Sequence, residues 1–333
     1  MPKSGSDEWL AQVTEDIIEP DLPIVDPHHH LWNRDWQIYE IEDLLKDTGS
    51  GHNVIKTLYM ECGSSYHETG PEHLKPVGET EYVISQLKKG QEIGGAEIAG
   101  IIGKADLRLG DDVEEVLKRH IEAAEGRFRG IRHAGAWVED RSMYSRYAGR
   151  APEGLYDQED FRTGVRLLGQ MGLTYDTYHY HYQNDDFRRL SIAAPDTQMI
   201  LDHFGTPLGV GPFANRRDEI FDLWASSISD LAKCDNVVVK IGGLAMPDNG
   251  FGWDTRETPA TSDEFVKAQR PYYLHAINCF GVDRCMVESN FPVDRLSLSY
   301  HILFNGIKKI VADFSNDEKH QLFHGTAERV YNV

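Results

Sequence analysis

The chain has 333 residues, of which 40% are hydrophobic and 26% are charged, which is enough for a large core in one or two domains. The formal net charge of −20 disfavours binding to nucleic acid or to anionic membrane surfaces. No apolar run approaches the roughly 18 residues of a membrane span, and the N-terminus lacks a signal-peptide pattern, so we expect a cytoplasmic protein.

Four cysteines are scattered along the chain without a Cys-x-x-Cys pair, which argues against a disulfide framework and against a structural zinc site. No repeat, low-complexity segment or linker divides the sequence. We therefore predict an N-terminal extension over residues 1–20, followed by one domain over residues 21–333. The glycine- and proline-rich stretch 246–262 is interpreted as a long loop within this domain.

Eight short runs rich in β-branched or aromatic residues recur along the chain and predict eight strands. In chain order they are Pro23–Asp26, Val54–Glu61, Ile98–Lys104, Phe128–His133, Leu173–Tyr178, Met199–His203, Val237–Ile241 and Cys285–Ser289.

Segments of helical periodicity separate most of these strands. The clearest apolar stripes begin at Val113, Phe161 and Ile220, and the apolar positions between Leu322 and Val330 indicate a closing C-terminal helix. Alternating strands and helices favour a parallel sheet. Because neither nucleotide-binding glycine motif is present, a closed barrel is favoured over an open sheet. The predicted fold class is α/β, a single-domain (β/α)8 TIM barrel with long βα loops.

Polar side chains stand at the C-terminal ends of the predicted strands, where barrels of this type collect their functional residues. Most of the runs are apolar within, so this concentration of titratable groups predicts an active site at that end. In chain order the residues are His28, His30, Glu61, Lys104, Arg132, His133, Asp176, His179, His181, Asp202, His203, Lys240, Glu288 and Asn290.

The histidines His28 and His30 are the most specific pair in the sequence. Residues two apart on a strand face the same way, so both imidazoles can converge on one ion or one substrate atom. Neutral imidazole is the commonest protein ligand for zinc and similar metals. A lone pair of this kind is more often part of a polar loop, but the histidines at later strand ends favour a functional role.

The segment Ile24–Trp32, IVDPHHHLW, resembles the opening DxHxHxW motif of the amidohydrolase superfamily. The branch it resembles holds sugar lactonases, pyrone-dicarboxylate lactonase and, more distantly, aromatic-acid decarboxylases. The resemblance continues through Gly130–Arg132, Leu201–Gly205, Val239–Gly243 and Glu288–Asp294. These motifs span nearly the whole chain in order, and they are more specific for fold than for substrate.

The resemblance implies roles for several histidines. His28 and His30 match a first-strand pair that binds a divalent metal in some members and substrate in metal-free ones. His181, or failing that His179, matches a fifth-strand histidine. His203 matches a sixth-strand histidine that polarises a carbonyl or acts as general acid or base.

Asn290 departs from the family pattern, because the eighth strand usually carries an aspartate that binds metal and activates water. An amide is neutral and cannot act as a general base. Glu288 lies two residues earlier on the same strand face, and we hypothesise that it supplies the missing carboxylate. The alternative is that Glu288 pairs with Lys240 or an arginine inside the barrel.

The predicted function is hydrolysis of a lactone of a small carboxylated or sugar-derived substrate. The alternatives are a metal-dependent non-oxidative decarboxylase of an aromatic or enoic acid, and a non-catalytic binding barrel. The predicted cofactor is one divalent ion, zinc being favoured, with a metal-free enzyme as the alternative. The predicted partner is a small molecule, and a homo-oligomer is not excluded.

Assigned roles are catalytic for His203, Glu288 and Asn290, substrate-binding for Arg132, Glu61, Lys240 and Tyr178, and metal-ligating for His28, His30 and His181.

Four long loops are expected to set substrate specificity, although none carries a recognisable code. They cover residues 33–53, 64–80, 137–158 and 207–217.

Overall fold

The computed structural model describes residues 2–139 and 151–333, so part of the loop 137–158 lies outside the described residues. Eight parallel strands pair in their order along the chain. They are β1 (Pro23–His29), β2 (Asn53–Met60), β3 (Glu97–Gly103), β4 (Phe128–Arg132), β5 (Thr174–Thr177), β6 (Met199–Leu201), β7 (Val237–Ile241) and β8 (Cys285–Val287).

The two edges of this sheet meet at their C-terminal ends. The amide of His30 donates to the carbonyl of Phe291 over 2.8 Å, and the amide of Asn290 donates to the carbonyl of His28 over 3.0 Å. These bonds join β1 to the segment after β8 and close the barrel. The predicted (β/α)8 fold is confirmed.

Helices surround the barrel and alternate with its strands. A short antiparallel hairpin, Trp32–Arg34 with Gln37–Tyr39, follows β1. The helices are α1 (Asp7–Leu10), α2 (Ile41–Thr48), α3 (Val77–Ile93), α4 (Val113–Ala123), α5 (Glu159–Gln170), α6 (Asn184–Ala193), α7 (Arg217–Leu231), α8 (Ser262–Phe280), α9 (Tyr300–Ile310), α10 (Asn316–His320) and α11 (Thr326–Tyr331).

The longest helix, α8, shows how local sequence sets an element. Thr261 Oγ1 accepts from the amide of Glu264 over 3.2 Å, while the Glu264 carboxylate accepts from the amide of Thr261 over 2.9 Å. This reciprocal capping satisfies two amides that the first turn leaves without helical partners. In the described part of the chain, no helix combines the length and apolar character needed to cross a membrane.

Strand alternation sends successive side chains to two different cores. One set packs inside the barrel and is closed at the bottom by Ala327 and Tyr331 of α11, while the next residue of each strand packs outward against the helices. Burying each large apolar side chain contributes roughly 2 kcal/mol. The inward strand residues are Val25, Leu58, Met60, Ile102, Ile200, Val238 and Met286.

Six of the eight strands end one or two residues earlier than predicted, whereas β7 ends as predicted and β1 continues past Asp26 to His29. β6 stops at Leu201 and β8 at Val287, whereas the predicted runs reach His203 and Ser289. His203 and Asn290 have left-handed backbones, with φ of 52° and 56°. A left-handed residue cannot continue a strand, so the chain turns sharply over the barrel mouth at these two positions.

Candidate active site

A cavity of about 470 Å³ opens at the C-terminal mouth of the barrel. It is lined by six of the ten predicted site residues, namely His30, Glu61, Arg132, Tyr178, His203 and Asn290. A wider surface groove of about 1140 Å³, between residues 209–219 and 247–255, contains none of the ten. The predicted chemistry therefore gathers around the smaller cavity.

His30 and His203 are held in one tautomer by fixed acceptors. Nδ1 of His30 lies 2.8 Å from the carbonyl oxygen of Met60, and Nδ1 of His203 lies 2.7 Å from Oε1 of Glu288. Because the carbonyl can only accept, Nδ1 of His30 carries the proton and its Nε2 keeps the lone pair. His203 takes the same tautomer when Glu288 is ionised. Burial lowers the pKa of His203 to about 3 and that of His30 well below its usual value, so both rings are neutral.

His28 lies beneath these two rings and is fully buried. Its Nδ1 is 2.8 Å from Oε2 of Glu288, and its Nε2 is 3.3 Å from Nη1 of Arg132. A guanidinium can only donate, so Nε2 is the accepting nitrogen here. Burial, followed by the charge of His203, holds the pKa of His28 far below its usual value. His30 and His28 are thus set with Nδ1 protonated and Nε2 basic, and His203 joins them when Glu288 is ionised.

Glu288 joins two of these imidazoles from below the cavity. It is completely buried and does not line the cavity. One oxygen faces His203 and the other faces His28, and Oε1 also accepts from the backbone amide of His203 over 3.2 Å. Burial raises the pKa of Glu288 to about 8, against the opposing charge of Lys240. Within the described residues Glu288 forms no ion pair with a lysine or arginine, so its contacts favour neither sequence-based interpretation and indicate a positioning role.

Lys240 lies deeper in the barrel and is also fully buried. Its ammonium contacts Oδ1 of Asp176 at 2.8 Å and Oδ1 of Asp202 at 3.1 Å. Burial lowers the pKa of Lys240, but these two carboxylates outweigh that effect and the net shift is upward. Tyr331 donates to the same Asp176 oxygen over 2.5 Å. These contacts link Lys240 to the floor of the barrel, and Lys240 does not line the cavity. Its predicted role in substrate binding stays a prediction.

Arg132 and Glu61 face the cavity as a pair. Nε of Arg132 donates to Oε1 of Glu61 over 2.8 Å, and a further guanidinium nitrogen donates to the backbone carbonyl of Glu61. Nη1 lies 3.5 Å from Asp202. The nearby carboxylates of Glu61 and Asp202 hold the pKa of Arg132 above its ordinary value despite burial. Much of the hydrogen-bonding capacity of this arginine is therefore used within the protein.

The histidines after β5 are placed away from the cavity. His179 is bonded on both nitrogens, to the hydroxyl of Tyr156 at 3.0 Å and to Oδ1 of Asn184 at 2.9 Å. His181 Nδ1 accepts from the amide of Leu208 over 3.3 Å. Burial lowers the pKa of each histidine to about 4. The structure does not place His181 beside His28, His30 or His203. Its predicted role as a metal ligand stays a prediction.

Tyr178 is the residue of this segment that lines the cavity. Its ring stands edge-on to His203, with 6.0 Å between the ring centroids. In the run 178–181, side chains alternate in direction. Tyr178 therefore faces the cavity, and His179 and His181 do not.

Asn290 lines the cavity through its left-handed turn. Its Nδ2 donates to Oδ1 of Asp294 over 2.9 Å, and the other Asp294 oxygen accepts from the amide of Ala245 over 3.1 Å. Burial raises the pKa of Asp294 far above its usual value. Asp294 therefore fixes the orientation of the Asn290 amide, with the carbonyl end left free of that bond.

Two glycines make room for this arrangement. A Cβ atom on Gly243, whose φ is +71°, would lie 2.2 Å from Nδ1 of His203. A Cβ on Gly242 would lie 2.3 Å from the carbonyl oxygen of Glu288. Contacts this short are sterically forbidden, so the Gly-Gly pair after β7 lets His203 and Glu288 approach each other.

The donor set fits a divalent metal ion. Ligand atoms of His28, Asp202 and His203 all lie within 4.8 Å of one another. Both Asp202 oxygens and Oε2 of Glu288 are buried and lack a hydrogen bond, although Lys240 and Arg132 lie 3.1 and 3.5 Å from the Asp202 oxygens and Nδ1 of His28 lies 2.8 Å from Oε2 of Glu288. Imidazole and carboxylate are suitable ligands for zinc, and carboxylate-anchored imidazoles are typical of metal sites. A metal taking Nε2 of His28 would replace the hydrogen bond from Arg132.

Asp202 and Arg34 received no role from the sequence, although both stand at the site. A signal for Asp202 was present, because it lies two residues after the inward-facing Ile200 and so shares its face. Arg34 lines the cavity from the hairpin after β1, and no sequence pattern places that hairpin over the mouth.

Comparisons with known proteins agree with this combination of barrel and histidine site. The amidohydrolase family model matches residues 25–333, and the chain belongs to that family. Protein y4mH of Sinorhizobium fredii is 32% identical, covering 94% of this chain and 99% of its own length. The L-fucono-1,5-lactonase of Burkholderia multivorans is 27% identical, covering 92% and 95%. A zinc-bound amidohydrolase crystal structure, also from B. multivorans, has 21% identity and a TM-score of 0.72, covering 93% and 99%, a likeness of fold alone.

Proposed function

We propose that the protein is a hydrolase that opens a lactone of a small carboxylated or sugar-derived substrate. Its cavity of about 470 Å³ is in the range that suits small molecules. The lactonase of B. multivorans, to which the chain is 27% identical over nearly its full length, supports a cyclic ester as the substrate class.

The observation that carries the proposal is the pairing of His203 with Glu288. His203 lines the cavity, is neutral, and has its Nδ1 anchored 2.7 Å from the carboxylate. This arrangement leaves Nε2 as a base held in place by a second group, which is the design of catalytic histidine–carboxylate pairs. Glu288 acts through His203 in this scheme, whereas the sequence-based hypothesis had Glu288 itself activate water.

The reaction follows from these positions. His203 Nε2 takes a proton from water as the water oxygen attacks the lactone carbonyl carbon. The tetrahedral oxyanion collapses, the ring C–O bond breaks, and the alkoxide leaving group takes the proton back from His203. Arg132 lines the cavity and would donate a guanidinium N–H to the oxyanion. A divalent ion held by His28, Asp202 and His203 would supply Lewis-acid polarisation of the carbonyl, and Nε2 of His203 would then be its ligand instead of the base.

Asn290 contributes a neutral group to this scheme. Its amide is oriented by Asp294 and faces the cavity, where it can hydrogen bond to the substrate or to the attacking water. It cannot take a proton, which is consistent with His203 as the base.

A screen of sugar and aromatic lactones with a pH indicator tests the proposal, because every hydrolysis event releases an acid. We expect acid release from at least one lactone, and loss of at least about 100-fold in kcat in His203→Asn. The surface variant Lys118→Met serves as the control. If no lactone is opened but carbon dioxide is released from an aromatic or enoic acid, the decarboxylase alternative replaces the proposal.

A further inference from the structure

Two cations that line the cavity form no ion pair within the described part of the chain. Burial lowers the pKa of one of them, Lys104, and the carboxylates of Glu61 and Asp106 oppose this larger effect. Lys104 follows β3, and Arg34 belongs to the hairpin after β1. Neither side chain forms an ion pair with a carboxylate of the described chain. In a protein of net charge −20, unpaired cations in a cavity are an unusual local concentration of positive charge.

The other charges around the cavity are already compensated. Arg108 is paired with Asp106 at 2.6 Å, and Arg132 with Glu61 at 2.8 Å. Glu61 is the single acidic residue among the described lining residues, and its carboxylate is held by Arg132. The described lining residues therefore carry a net positive charge, to which Lys104 and Arg34 contribute.

Lys104 is partly buried, and burial lowers the pKa of its ammonium. An ammonium in such a place is destabilising unless an anion joins it. Arg34 is held differently, since its guanidinium lies 4.8 Å from the ring centre of Trp32 and donates to the carbonyl of Cys62 over 2.5 Å. The stacked guanidinium is fixed in orientation while its other N–H groups remain available.

We propose that Lys104 and Arg34 bind a carboxylate that the substrate carries in addition to its lactone ester. Arg132, which the sequence assigns to substrate binding, has most of its donors engaged by Glu61, His28 and Asp202. The substrate class is thus an anionic lactone acid rather than a neutral sugar lactone. That the substrate is a lactone rests on the proposed function. That Lys104 and Arg34 bind an anion does not depend on it.

The binding test uses glutarate and its neutral diamide, glutaramide, as probes in titration calorimetry of the whole protein. We expect wild type to bind glutarate and to bind glutaramide at least about 10-fold more weakly, as loss of one charge-assisted contact implies. Lys104→Met should weaken glutarate binding at least about 10-fold, and Lys104→Arg should retain it. Lys118→Met, which removes an exposed lysine from α4, is the matched control for net charge.

Thermal unfolding separates a binding role from a structural one. Because Lys104 is partly buried and forms no ion pair with the residues that the structure describes, Lys104→Met should unfold at the same or a higher temperature than wild type. Equal glutarate affinity in wild type and Lys104→Met, or equal affinity for glutarate and glutaramide, overturns the proposal.

A kinetic test separates this inference from the proposed function. D-glucaro-1,4-lactone and D-glucono-1,4-lactone differ in having a carboxylate or a hydroxymethyl group at the far end. We expect a higher kcat/KM for the glucarolactone, lost through KM in Lys104→Met, with the gluconolactone unaffected. Turnover of both lactones without preference rejects the anion site and keeps the hydrolase. Glutarate binding without turnover of any lactone keeps the anion site and rejects the hydrolase.

Discussion

One carboxylate, Glu288, fixes the histidine His203 by two bonds at once. Its Oε1 accepts from the ring Nδ1 over 2.7 Å and from the backbone amide over 3.2 Å. The side chain and the backbone of His203 are therefore held together, across a separation of 85 residues in sequence.

Glu288→Gln should lower kcat by about 100-fold or more with little change in KM, because an amide cannot accept from both His28 and His203 in the same tautomers. Steady-state kinetics on a lactone identified by the screen measure the effect. Glu81→Gln, on the exposed face of α3, is the charge-matched control. A near-normal rate in Glu288→Gln contradicts any role for this carboxylate in the reaction.

The pH dependence of kcat/KM should follow the ionisation of Glu288. Burial raises its pKa to about 8, and only the ionised carboxylate accepts from both imidazoles. Activity should therefore rise with pH through about 8, and Glu288→Gln should lack this limb. The free energy of unfolding should change with pH in the opposite direction to activity. A pKa that is raised in the folded state stabilises the fold in acid, and that contribution is lost as the pH rises through about 8. Activity that is already maximal two pH units lower contradicts the assignment.

Gly243→Ala should abolish most of the activity, because the added methyl group would lie 2.2 Å from Nδ1 of His203. The variant also forces alanine into a left-handed backbone, which costs about 1 to 2 kcal/mol. Gly172→Ala isolates that second effect, since Gly172 has a similar φ of +69° and no atom within 4 Å of the added Cβ. Comparing kcat and urea unfolding of the two variants separates the steric effect from backbone strain.

Lys240→Met should lower the free energy of unfolding by about 3 to 5 kcal/mol, because Asp176 and Asp202 would be left buried without their cation. Adding Asp176→Asn to this variant should recover part of the loss. Urea unfolding gives the free energies. An increase in KM with unchanged stability would instead support the predicted role of Lys240 in substrate binding.

Zinc should bind one site per chain and raise the unfolding temperature in proportion to its saturation. His203→Ala should lose most of this stabilisation, because His203 belongs to the group that can hold a metal, whereas His181→Ala should retain it. Competition with a chromophoric chelator gives the affinities without reference to activity. Equal losses in both variants would bring His181 back as a ligand, and no stabilisation of wild type by zinc would favour the metal-free alternative.

Periodicity along the chain was sufficient to predict the barrel and the faces of most of its strands. Because side chains alternate at every residue, an apolar residue at 238 or 286 that faces inward requires that Lys240 and Glu288 face inward as well. In β1 the rule fails, because alternation from the inward-facing Val25 would turn His29 inward. The register irregularity between Asp26 and His29 reverses the faces and brings His30 to the cavity.

Tertiary structure alone decided the partners within that mouth. Whether Glu288 meets a lysine or two imidazoles depends on the stagger of the closed barrel and on the left-handed turn at His203, neither of which is visible in local sequence. The placement of His181 against Leu208, and of Lys240 between two aspartates, likewise follows from contacts between distant strands and loops. Local sequence sets the direction of a side chain, whereas the identity of its neighbour is set by packing across the barrel.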